Sequence, residues 1–445
     1  MPRDPTQPAA PKTSAADPAP LAWAQELELI ALRNATEFSL ASATHPSAEI
    51  ADSTDTAAAA PPIGPEPTNR FDASLPQAEA LSMTSVWQLE SLAAADASLT
   101  SGNASYAYRR VDHPNARGLA SKLCLLHAAE QAVVTAQGMS GIAAIALASL
   151  RPAARVWLSQ ELYGETSHLF AHSLQPWQVE THLFDPTDAE HLHQLAHSSV
   201  DMVVIETITN PRLRVADIAQ VSRAASAAGA LLVVDNTFAT YLMCQPLRLG
   251  ADFVIESLGK QVNGHGDGMI GFVAGRDVER MAGVRGIVKT FGMTSSPLDC
   301  YLTHRGLMSL AVRMERACAN AQALAECLSG LPRVNCVDYP GLTHNAGYHV
   351  ARQQFCGGFG WMVTFHVDAD RAAVEQLLQA LRPEIRFVPS LGDVNTTLSH
   401  PLSTSHRSTP PATLAELGIT PGTIRVSCGI EPTEWLVDCF RKALA

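Results

Sequence analysis

Short apolar runs alternate with amphipathic segments between about residues 119 and 260 of this 445-residue chain. The run at 202–206 is apolar at four consecutive positions and ends in a glutamate, which is typical of a strand buried on both faces. Helical spacing at 167–174 and 216–228 separates such runs. The pattern predicts an α/β fold with a mainly parallel sheet, whose strands lie at 154–158, 179–184, 202–206, 230–235 and 253–257.

The two ends of the chain do not follow this alternating pattern. The first 70 residues contain 11 of the 28 prolines, and such a stretch buries too little apolar surface to offset its ordering entropy. Residues 1–75 are therefore predicted to form a mostly disordered extension, in which only 23–32 has the pattern of a helix. After about residue 305, a long helix at 307–328 and strands at 362–367 and 424–428 predict a smaller α+β domain.

Charge and cysteine content narrow the function. The net charge is −12, of which residues 1–85 contribute −7, so the body does not supply the clustered lysine and arginine that a nucleic-acid partner or an anionic membrane surface requires. The nine cysteines are never spaced Cys-x-x-Cys, which argues against a disulfide framework or thiolate zinc site and favours a reducing cytoplasm. No secretory signal is evident. The most apolar stretch, 132–150, is interrupted by polar residues and glycines and is interpreted as a buried loop and helix.

Polar residues follow three of the predicted parallel strands, where the chemistry of such sheets is usually located. They are Glu206, Asp235 and Ser257. Asp235 follows four apolar residues, and a carboxylate there is costly unless it meets a cation or a donor. A protonated pyridine nitrogen supplies such a cation in pyridoxal-type chemistry. The alternative is that Asp235 is a strand-end residue that caps a turn.

Two further motifs suggest parts of such a site. Lys260 lies just past an apolar strand, where desolvation favours the neutral, nucleophilic amine. A surface lysine in a loop is the alternative. Gly138 and Met139 precede a helical segment at 141–150, and a glycine turn at a helix N-terminus is a ready phosphate site. An ordinary turn has the same pattern.

Two other patterns are set aside. Residues 266–271 match Gly-x-Gly-x-x-Gly, but they lead into a strand-like run at 272–274 and not into a helix, so a dinucleotide site is not predicted. His191, His193 and His197 are interpreted as lining a solvated helix, because no carboxylate or cysteine completes a metal site. No metal is expected.

Several motifs occur in one order between about residues 80 and 445. They are Tyr108-Arg-Arg110, Gly138-Met139, Tyr163-Gly164, Glu206-Thr-Ile-Thr-Asn-Pro211, Asp235, Lys260 with Asn263-Gly-His265, Ser390-Leu-Gly392 and Arg425-Val-Ser427. This series resembles the pyridoxal-phosphate enzymes of cysteine and methionine metabolism. That transsulfuration group comprises cystathionine synthases and lyases, methionine γ-lyase and homoserine sulfhydrylases.

The resemblance implies a fold type I pyridoxal-phosphate-dependent transferase and a role for each matching residue. Lys260 would hold pyridoxal phosphate covalently, Asp235 its ring nitrogen and Asn210 its phenolic oxygen. Tyr163 would stack on the ring and share acid–base catalysis with Lys260. The implied remaining cofactor contacts, most of them to the phosphate, are Gly138, Met139, Ser257, Tyr108 and Arg110.

The resemblance also implies an arrangement of segments and subunits. An arm at 76–117 would carry Tyr108 and Arg110 into a neighbouring subunit of a homodimer or homotetramer. The cofactor domain would span 118–305 and the substrate-binding domain 306–445. In the latter, Arg425 would clamp the α-carboxylate of a small amino-acid substrate, a task suited to a planar guanidinium, with Ser390 and Thr396 nearby.

Several functional hypotheses remain open. The first is a carbon–sulfur lyase that eliminates or replaces a β or γ substituent, similar to cystathionine γ-lyase or methionine γ-lyase. The second is a transferase, either a cystathionine γ-synthase or an O-acylhomoserine sulfhydrylase. The third is a non-catalytic scaffold or regulator, suggested by departures from the family pattern. Leu258 and Gly259 replace a smaller residue and a hydroxyl residue before the lysine, and Glu165 is an unusual anion near the expected substrate entrance.

Overall fold

The computed structural model describes residues 78–101, 106–407 and 409–445. The extension predicted at 1–75, with its helix at 23–32, lies outside these residues. Within them the chain forms one sheet of seven strands and one of five. No helix in the described part of the chain is long and apolar enough to cross a membrane.

The seven-stranded sheet confirms the prediction of a mainly parallel α/β fold. Its strands are β1 Gln131–Thr135, β2 Arg155–Ser159, β3 Glu180–Phe184, β4 Met202–Glu206, β5 Leu231–Asp235, β6 Phe253–Glu256 and β7 Gly271–Gly275. Their order is β1-β7-β6-β5-β4-β2-β3, and all pairs from β6 to β3 are parallel, whereas β7 is antiparallel to both neighbours. Every residue of β4, β6 and β7 is buried, as expected for a sheet covered on both faces.

The first strand corrects the interpretation of 132–150 as a loop followed by a helix. Residues 131–135 form β1, which pairs with β7 at the edge of the sheet, and only the second half of the stretch is helical. Gln137 and Gly138 mark the boundary between the strand and the helix, but the apolar run at 132–134 is too short for its periodicity to distinguish a strand from another buried segment.

The helices of this part of the chain connect the strands and cover the sheet. They are α1 Leu92–Asp96, α2 Pro114–Leu126, α3 Gly138–Ser149, α4 Gly164–His168, α5 Ala189–Ala196, α6 Ile218–Ala227, α7 Thr240–Met243, α8 Val278–Thr290 and α9 Pro297–Leu307. The predicted helix at 167–174 is α4 continued by a π-helical turn at Leu169–Ser173. Aspartate side chains cap the N-termini of several helices. Asp217 accepts a hydrogen bond from a backbone N–H in the first turn of α6, and Asp277 accepts from backbone N–H groups in the first turn of α8.

The C-terminal region forms the second sheet, as predicted for a smaller α+β unit. Its strands are β8 Val334–Asp338, β9 Met362–Val367, β10 Arg386–Phe387, β11 Thr397–Ser399 and β12 Thr423–Ser427, in the order β10-β11-β12-β9-β8. Its helices are α10 Leu310–Ser329, α11 Tyr348–Gln354, α12 Arg371–Leu381, α13 Pro411–Glu416 and α14 Thr433–Ala443. The predicted strands at 362–367 and 424–428 correspond to β9 and β12.

The long helix predicted at 307–328 corresponds to α10, which begins three residues later, at Leu310, after a break in helical structure at 308–309 that separates it from α9. A Cβ atom on Gly306 would lie 2.2 Å from the carbonyl oxygen of Asn263, so the chain here packs backbone to backbone against the segment after Lys260. Arg313 Nη2 donates to the Gly306 carbonyl at 2.8 Å and to that of Val262 at 3.1 Å. The break therefore braces the segment that carries the lysine, which hydrophobic spacing cannot reveal.

Candidate active site

Three parallel strands end side by side at one edge of the large sheet. β4 ends at Glu206, β5 at Asp235 and β6 at Glu256, and Glu206 is the direct register partner of Asp235. Ser257, which follows β6, donates its backbone N–H to Thr237 Oγ1 at 2.9 Å. The polar residues predicted from the strand pattern therefore lie close together, at the edge where such sheets bind ligands.

The Asp235 carboxylate is held by one neighbouring residue. Its Oδ1 accepts from the Thr237 N–H at 2.9 Å and from the Thr237 hydroxyl at 2.5 Å. Burial raises the pKa of Asp235 to about 6, because the bonds from Thr237 offset the loss of hydration only in part. No lysine or arginine of the described residues forms an ion pair with Asp235, so its carboxylate suits a protonated ring nitrogen.

Lys260 lies in the turn that follows β6 and reaches towards the C-terminal region. Its Nζ donates to Ser390 Oγ at 3.0 Å. Burial, reinforced by the positive charge of Arg425, lowers the pKa of Lys260. A lower pKa increases the fraction of neutral amine, which is the nucleophilic and proton-accepting form.

Arg425 lies on β12 with only 2% of its surface exposed. Its Nε donates to Ser399 Oγ at 3.0 Å, and its Nη1 donates to Asn210 Oδ1. Burial lowers the pKa of Arg425 to about 10, so the guanidinium stays protonated at neutral pH. Its Nη2 forms no hydrogen bond with any residue that the structure describes, and it can donate to a carboxylate.

Tyr163 immediately precedes α4 and is 40% exposed. Its backbone N–H donates to Glu206 Oε1 at 2.7 Å. Burial, reinforced by Glu165, raises the pKa of the Tyr163 phenol, while Arg425 opposes the shift. Tyr163 is therefore protonated at neutral pH and can act as a proton donor.

The N-terminus of α3 lies against the end of β6. A Cβ on Gly138 would be 3.1 Å from Ser257 Cβ, a tight contact that favours a glycine at this position. Gln137 makes no side-chain hydrogen bond to the first turn, which leaves the N–H groups of Gly138 and Met139 for an anion. These donors and the Ser257 hydroxyl fit a phosphate group.

Gly259 has a steric explanation. A Cβ there would lie 2.5 Å from the carbonyl oxygen of Gly268, closer than real Cβ atoms approach. A serine or threonine at 259 would therefore displace the backbone at 266–268. The hydroxyl that the family usually carries is excluded here by local packing, and Ser257 remains as the hydroxyl of this turn.

The structure does not bring Tyr108 and Arg110 to Lys260 within the described contacts of one chain. Arg110 Nη1 donates to the Lys289 carbonyl at 3.0 Å, and its guanidinium lies 5.4 Å from the centre of the Tyr108 ring. Tyr108 is 43% exposed. Both residues therefore present a polar surface at the end of α8.

Thr396 and Ser390, both predicted to bind substrate, have different surroundings. The Thr396 hydroxyl donates to Glu431 Oε2 at 2.8 Å and accepts from the Gly429 N–H at 2.9 Å. These contacts use its polar atoms inside the C-terminal region, and its role towards substrate stays a prediction. Ser390 instead contacts the amine of Lys260.

Sequence reasoning missed a buried link beside the site. Glu161 Oε1 accepts from Arg214 Nη1 at 3.0 Å, and Glu161 Oε2 accepts from Thr209 Oγ1 at 2.6 Å. These bonds join the loop after β2, which carries Tyr163, to the loop after β4, which carries Asn210. No spacing in the sequence predicts them, because the two loops meet only in the folded chain.

A second missed link joins the two sheets. Arg212 Nε donates to Asp338 Oδ2 at 2.6 Å, and the same oxygen lies 2.7 Å from His366 Nε2 on β9. His406 is also buried near the site, and burial together with the charge of Arg425 lowers its pKa to about 4. A neutral His406 adds no positive charge beside Arg425.

Replacing Asp235 with asparagine is expected to stabilise the cofactor-free protein while weakening cofactor retention. The folded state raises the pKa of Asp235 to about 6, so the ionised carboxylate opposes folding at pH 7.5 by about 1–3 kcal/mol, a cost that a neutral amide removes. Thermal melting at pH 7.5 should give a higher Tm for the variant, and the gap should close as the pH falls below about 6. A variant that melts below the wild type at pH 7.5 contradicts this explanation.

The site combines four features that a pyridoxal-phosphate enzyme needs. They are an amine of lowered pKa at Lys260, a carboxylate without an ion-pair partner among the described residues at Asp235, an anion site at the start of α3 and a buried guanidinium at Arg425. With the mainly parallel sheet, they define a fold type I enzyme of this cofactor class. The chain belongs to the Cys/Met metabolism PLP-dependent enzyme family, whose model matches residues 66–445.

Individual relatives agree with this assignment. An O-succinylhomoserine sulfhydrylase of Pseudomonas aeruginosa is 36% identical over 367 residues, covering 82% of this chain and 90% of the relative. An L-methionine gamma-lyase of Pseudomonas putida is 35% identical, covering 77% and 85%. A crystal structure of cystathionine gamma synthase from Xanthomonas oryzae pv. oryzae superposes with a TM-score of 0.78 at 32% identity, covering 84% and 94%. The chain is thus a pyridoxal-phosphate-dependent enzyme of sulfur amino-acid metabolism, which confirms the predicted fold, cofactor and enzyme class.

Proposed function

We propose that this enzyme eliminates or replaces the β or γ substituent of a sulfur amino acid, with carbon–sulfur bond cleavage as its principal reaction. The observation that carries the proposal is the position of the Lys260 amine, 3.0 Å from Ser390 and within reach of the charge of Arg425. An amine of lowered pKa beside a carboxylate-binding cation is suited to move a proton at the Cα of a bound amino acid. The relative from Pseudomonas putida is named as a lyase of this kind.

Arg425 binds and orients the substrate in this proposal. Ser399 and Asn210 hold two edges of the guanidinium, which leaves Nη2 for the α-carboxylate. The contact is strong because the guanidinium is buried and water competes for it poorly. Ser390 extends the same surface towards Lys260, so the substrate Cα lies next to the amine.

Lys260 and Tyr163 carry the proton transfers. Pyridoxal phosphate, when bound, supplies an electron sink that stabilises negative charge on the substrate carbons, and Asp235 keeps its ring nitrogen protonated. Lys260 would hold the cofactor at rest. Once the substrate has displaced Lys260, its free amine would accept the Cα proton. Tyr163 donates its phenolic proton to the leaving sulfur, which its raised pKa makes available at neutral pH.

The other cofactor contacts follow from the same edge of the sheet. Gly138, Met139 and Ser257 would hold the phosphate. Asn210 would donate to the phenolic oxygen through Nδ2, since its Oδ1 already accepts from Arg425.

We propose that the enzyme is a homodimer or homotetramer of the cytoplasm. The arm at 76–117 would carry Tyr108 and Arg110 into the site of a neighbouring subunit. Residues 118–305 would form the cofactor domain and residues 306–445 the substrate domain, and the extension at 1–75 would precede them. The exposure of Tyr108 supports this arrangement. The scattered cysteines, none of them spaced Cys-x-x-Cys, support a reducing compartment.

Subunit complementation tests the shared site. Lys260→Ala and Arg110→Ala should each remove most of the activity when made alone. Co-expressed in equal amounts, they should recover about a quarter of wild-type activity, because half of random dimers are mixed and each has one intact site. Light scattering should show at least a dimer. A monomer, or mixed oligomers without recovered activity, would exclude the role of the arm.

A γ-replacement transferase is the second candidate. The 36% identical relative is an O-succinylhomoserine sulfhydrylase, and that relative covers more of this chain than the methionine γ-lyase does. A non-catalytic scaffold is the third candidate, although the steric cause of Gly259 removes one of its motivations.

A product panel distinguishes the candidates. The cofactor-loaded enzyme is incubated with cystathionine, methionine, homocysteine and cysteine, and separately with O-acetylhomoserine or O-succinylhomoserine plus a thiol. A lyase releases thiol or sulfide, ammonia and a keto acid from the first group without an acceptor. A transferase consumes an ester only when the thiol is present. If none of the mixtures gives a product, the proposal is overturned and the scaffold is favoured.

A further inference from the structure

Glu206 is a buried carboxyl group at the centre of the site that the proposed reaction does not use. It ends β4, is 7% exposed, and lies directly opposite Asp235 on the neighbouring strand. Two carboxyl groups on adjacent strand ends disfavour each other's ionisation. Asp235 needs its charge for the cofactor, so Glu206 is the member of the pair that can remain neutral.

The side chain of Glu206 fixes the backbone of the residue proposed to donate the proton. Its Oε1 accepts from the Tyr163 N–H at 2.7 Å. Tyr163 lies where the loop after β2 enters α4, so this bond sets the point from which its phenol projects. An acceptor oxygen is all that the N–H requires, and a neutral carboxyl or a carboxamide provides one.

The charges around Glu206 favour its neutral form. Asp235 on β5 and Glu161 in the loop after β2 repel a negative charge, whereas Arg425 from the C-terminal sheet attracts it and the Tyr163 N–H stabilises it. Burial and the charge of Asp235 outweigh the last two and raise the pKa of Glu206 well above its usual value. Arg425 donates hydrogen bonds to Ser399 and Asn210 rather than to Glu206.

We propose that Glu206 is a positioning residue that acts as an uncharged carboxyl, and that its hydrogen bond to the Tyr163 backbone places the phenol for proton transfer. The catalytic consequence rests on the proposed function, whereas the charge state does not. The inference makes Glu206→Gln a conservative change and Glu206→Asp a disruptive one, the reverse of what an ionised catalytic carboxylate would give.

Glu161, in the loop after β2, offers a matched control for Glu206. It is also buried, with 4% exposure, but its Oε1 forms an ion pair with the Arg214 guanidinium at 3.0 Å. Neutralising Glu161 removes one of the two carboxylates that pair with the Arg214 guanidinium, the other being Asp185 at 2.6 Å, and breaking an ion pair of a buried carboxylate is destabilising. Glu161→Gln should therefore lower the melting temperature of the cofactor-free protein, while Glu206→Gln should leave it unchanged or raise it.

Kinetics of the cofactor-loaded full chain test the positioning role. Glu206→Gln should keep kcat within about threefold of the wild type, because the amide oxygen still accepts from Tyr163. Glu206→Asp and Glu206→Ala should lower kcat by about 10–100-fold with KM within about threefold, because Arg425 still binds the substrate and only Tyr163 is misplaced. If Glu206→Ala fails to fold, the comparison of Gln with Asp carries the test.

Two results would overturn the inference. The first is a Glu206→Gln variant whose kcat falls as far as that of Glu206→Asp, or whose melting temperature falls as far as that of Glu161→Gln. Either outcome shows that the charge is needed. The other is a Glu206→Asp variant with unchanged kcat, which shows that the bond does not position Tyr163. If the wild type is inactive towards every substrate, only the proposed function is refuted. The melting comparison still reports whether Glu206 is charged.

Discussion

Replacing Lys260 with alanine is expected to remove the visible absorbance of the lysine-bound cofactor and to lower turnover by more than about 10³-fold. Its amine is proposed both to hold the cofactor and to accept the substrate proton, and losses of residues that combine such roles are large. Burial and the Arg425 charge lower the pKa of this amine, so its reactivity depends on its location after β6 and near Arg425. Absorbance spectra and kcat after incubation with excess cofactor measure both effects.

An exposed lysine provides the control for this substitution. Lys442 lies in the last turn of α14, and Lys442→Ala should keep the wild-type spectrum and kcat. Circular dichroism should show that Lys260→Ala remains folded, because the alanine removes only one side-chain hydrogen bond, to Ser390. A folded Lys260→Ala variant that keeps both the band and the activity would refute the assignment.

Replacing Arg425 with lysine should reduce kcat/KM by about 10²–10³-fold, mostly through a higher KM, while the cofactor band is retained. A lysine keeps the charge but cannot donate to Ser399, Asn210 and a carboxylate at once, as the planar guanidinium does. Loss of a charge-assisted contact in a buried site costs about 3–4 kcal/mol of transition-state binding, which corresponds to this range. Initial-rate kinetics with the best substrate of the panel provide the measurement.

The same substitution at an exposed position is the control. Arg441 lies on α14 with its side chain 57% exposed and pairs with Asp438 of the same helix, so Arg441→Lys should leave kcat/KM unchanged. If Arg425→Lys also leaves KM unchanged, the substrate carboxylate binds elsewhere. If it loses the cofactor band instead, Arg425 supports the cofactor and not the substrate.

The strand pattern predicted the site edge for a physical reason. Parallel strands buried on both faces appear as continuous apolar runs, and the first polar residue after each run marks the carboxyl end. Glu206 and Asp235 were located in this way, and the structure places them as register partners. Lys260 follows from the same rule, because it lies in the turn after the next strand.

Other parts of the site depend on distances that the sequence does not encode locally. Arg425 reaches Asn210 from the second sheet, and Ser390 reaches Lys260 from the loop after β10; only the resemblance to a family links these residues from the sequence. The bond from Tyr163 to Glu206 joins the loop after β2 to the end of β4, and the two are neighbours because of the strand order β5-β4-β2. The apolar run of β1 is also too short for its periodicity to distinguish a strand from another buried segment.

Reductive trapping of the cofactor tests the central claim most directly. The cofactor-loaded full chain is reduced with borohydride, digested, and mapped by mass spectrometry over all five lysines of the sequence. The site geometry predicts a pyridoxyl group on Lys260 and on no other lysine, with the label lost in Lys260→Ala. A stoichiometric label on another lysine, or a protein that carries none, would contradict the assignment of this site.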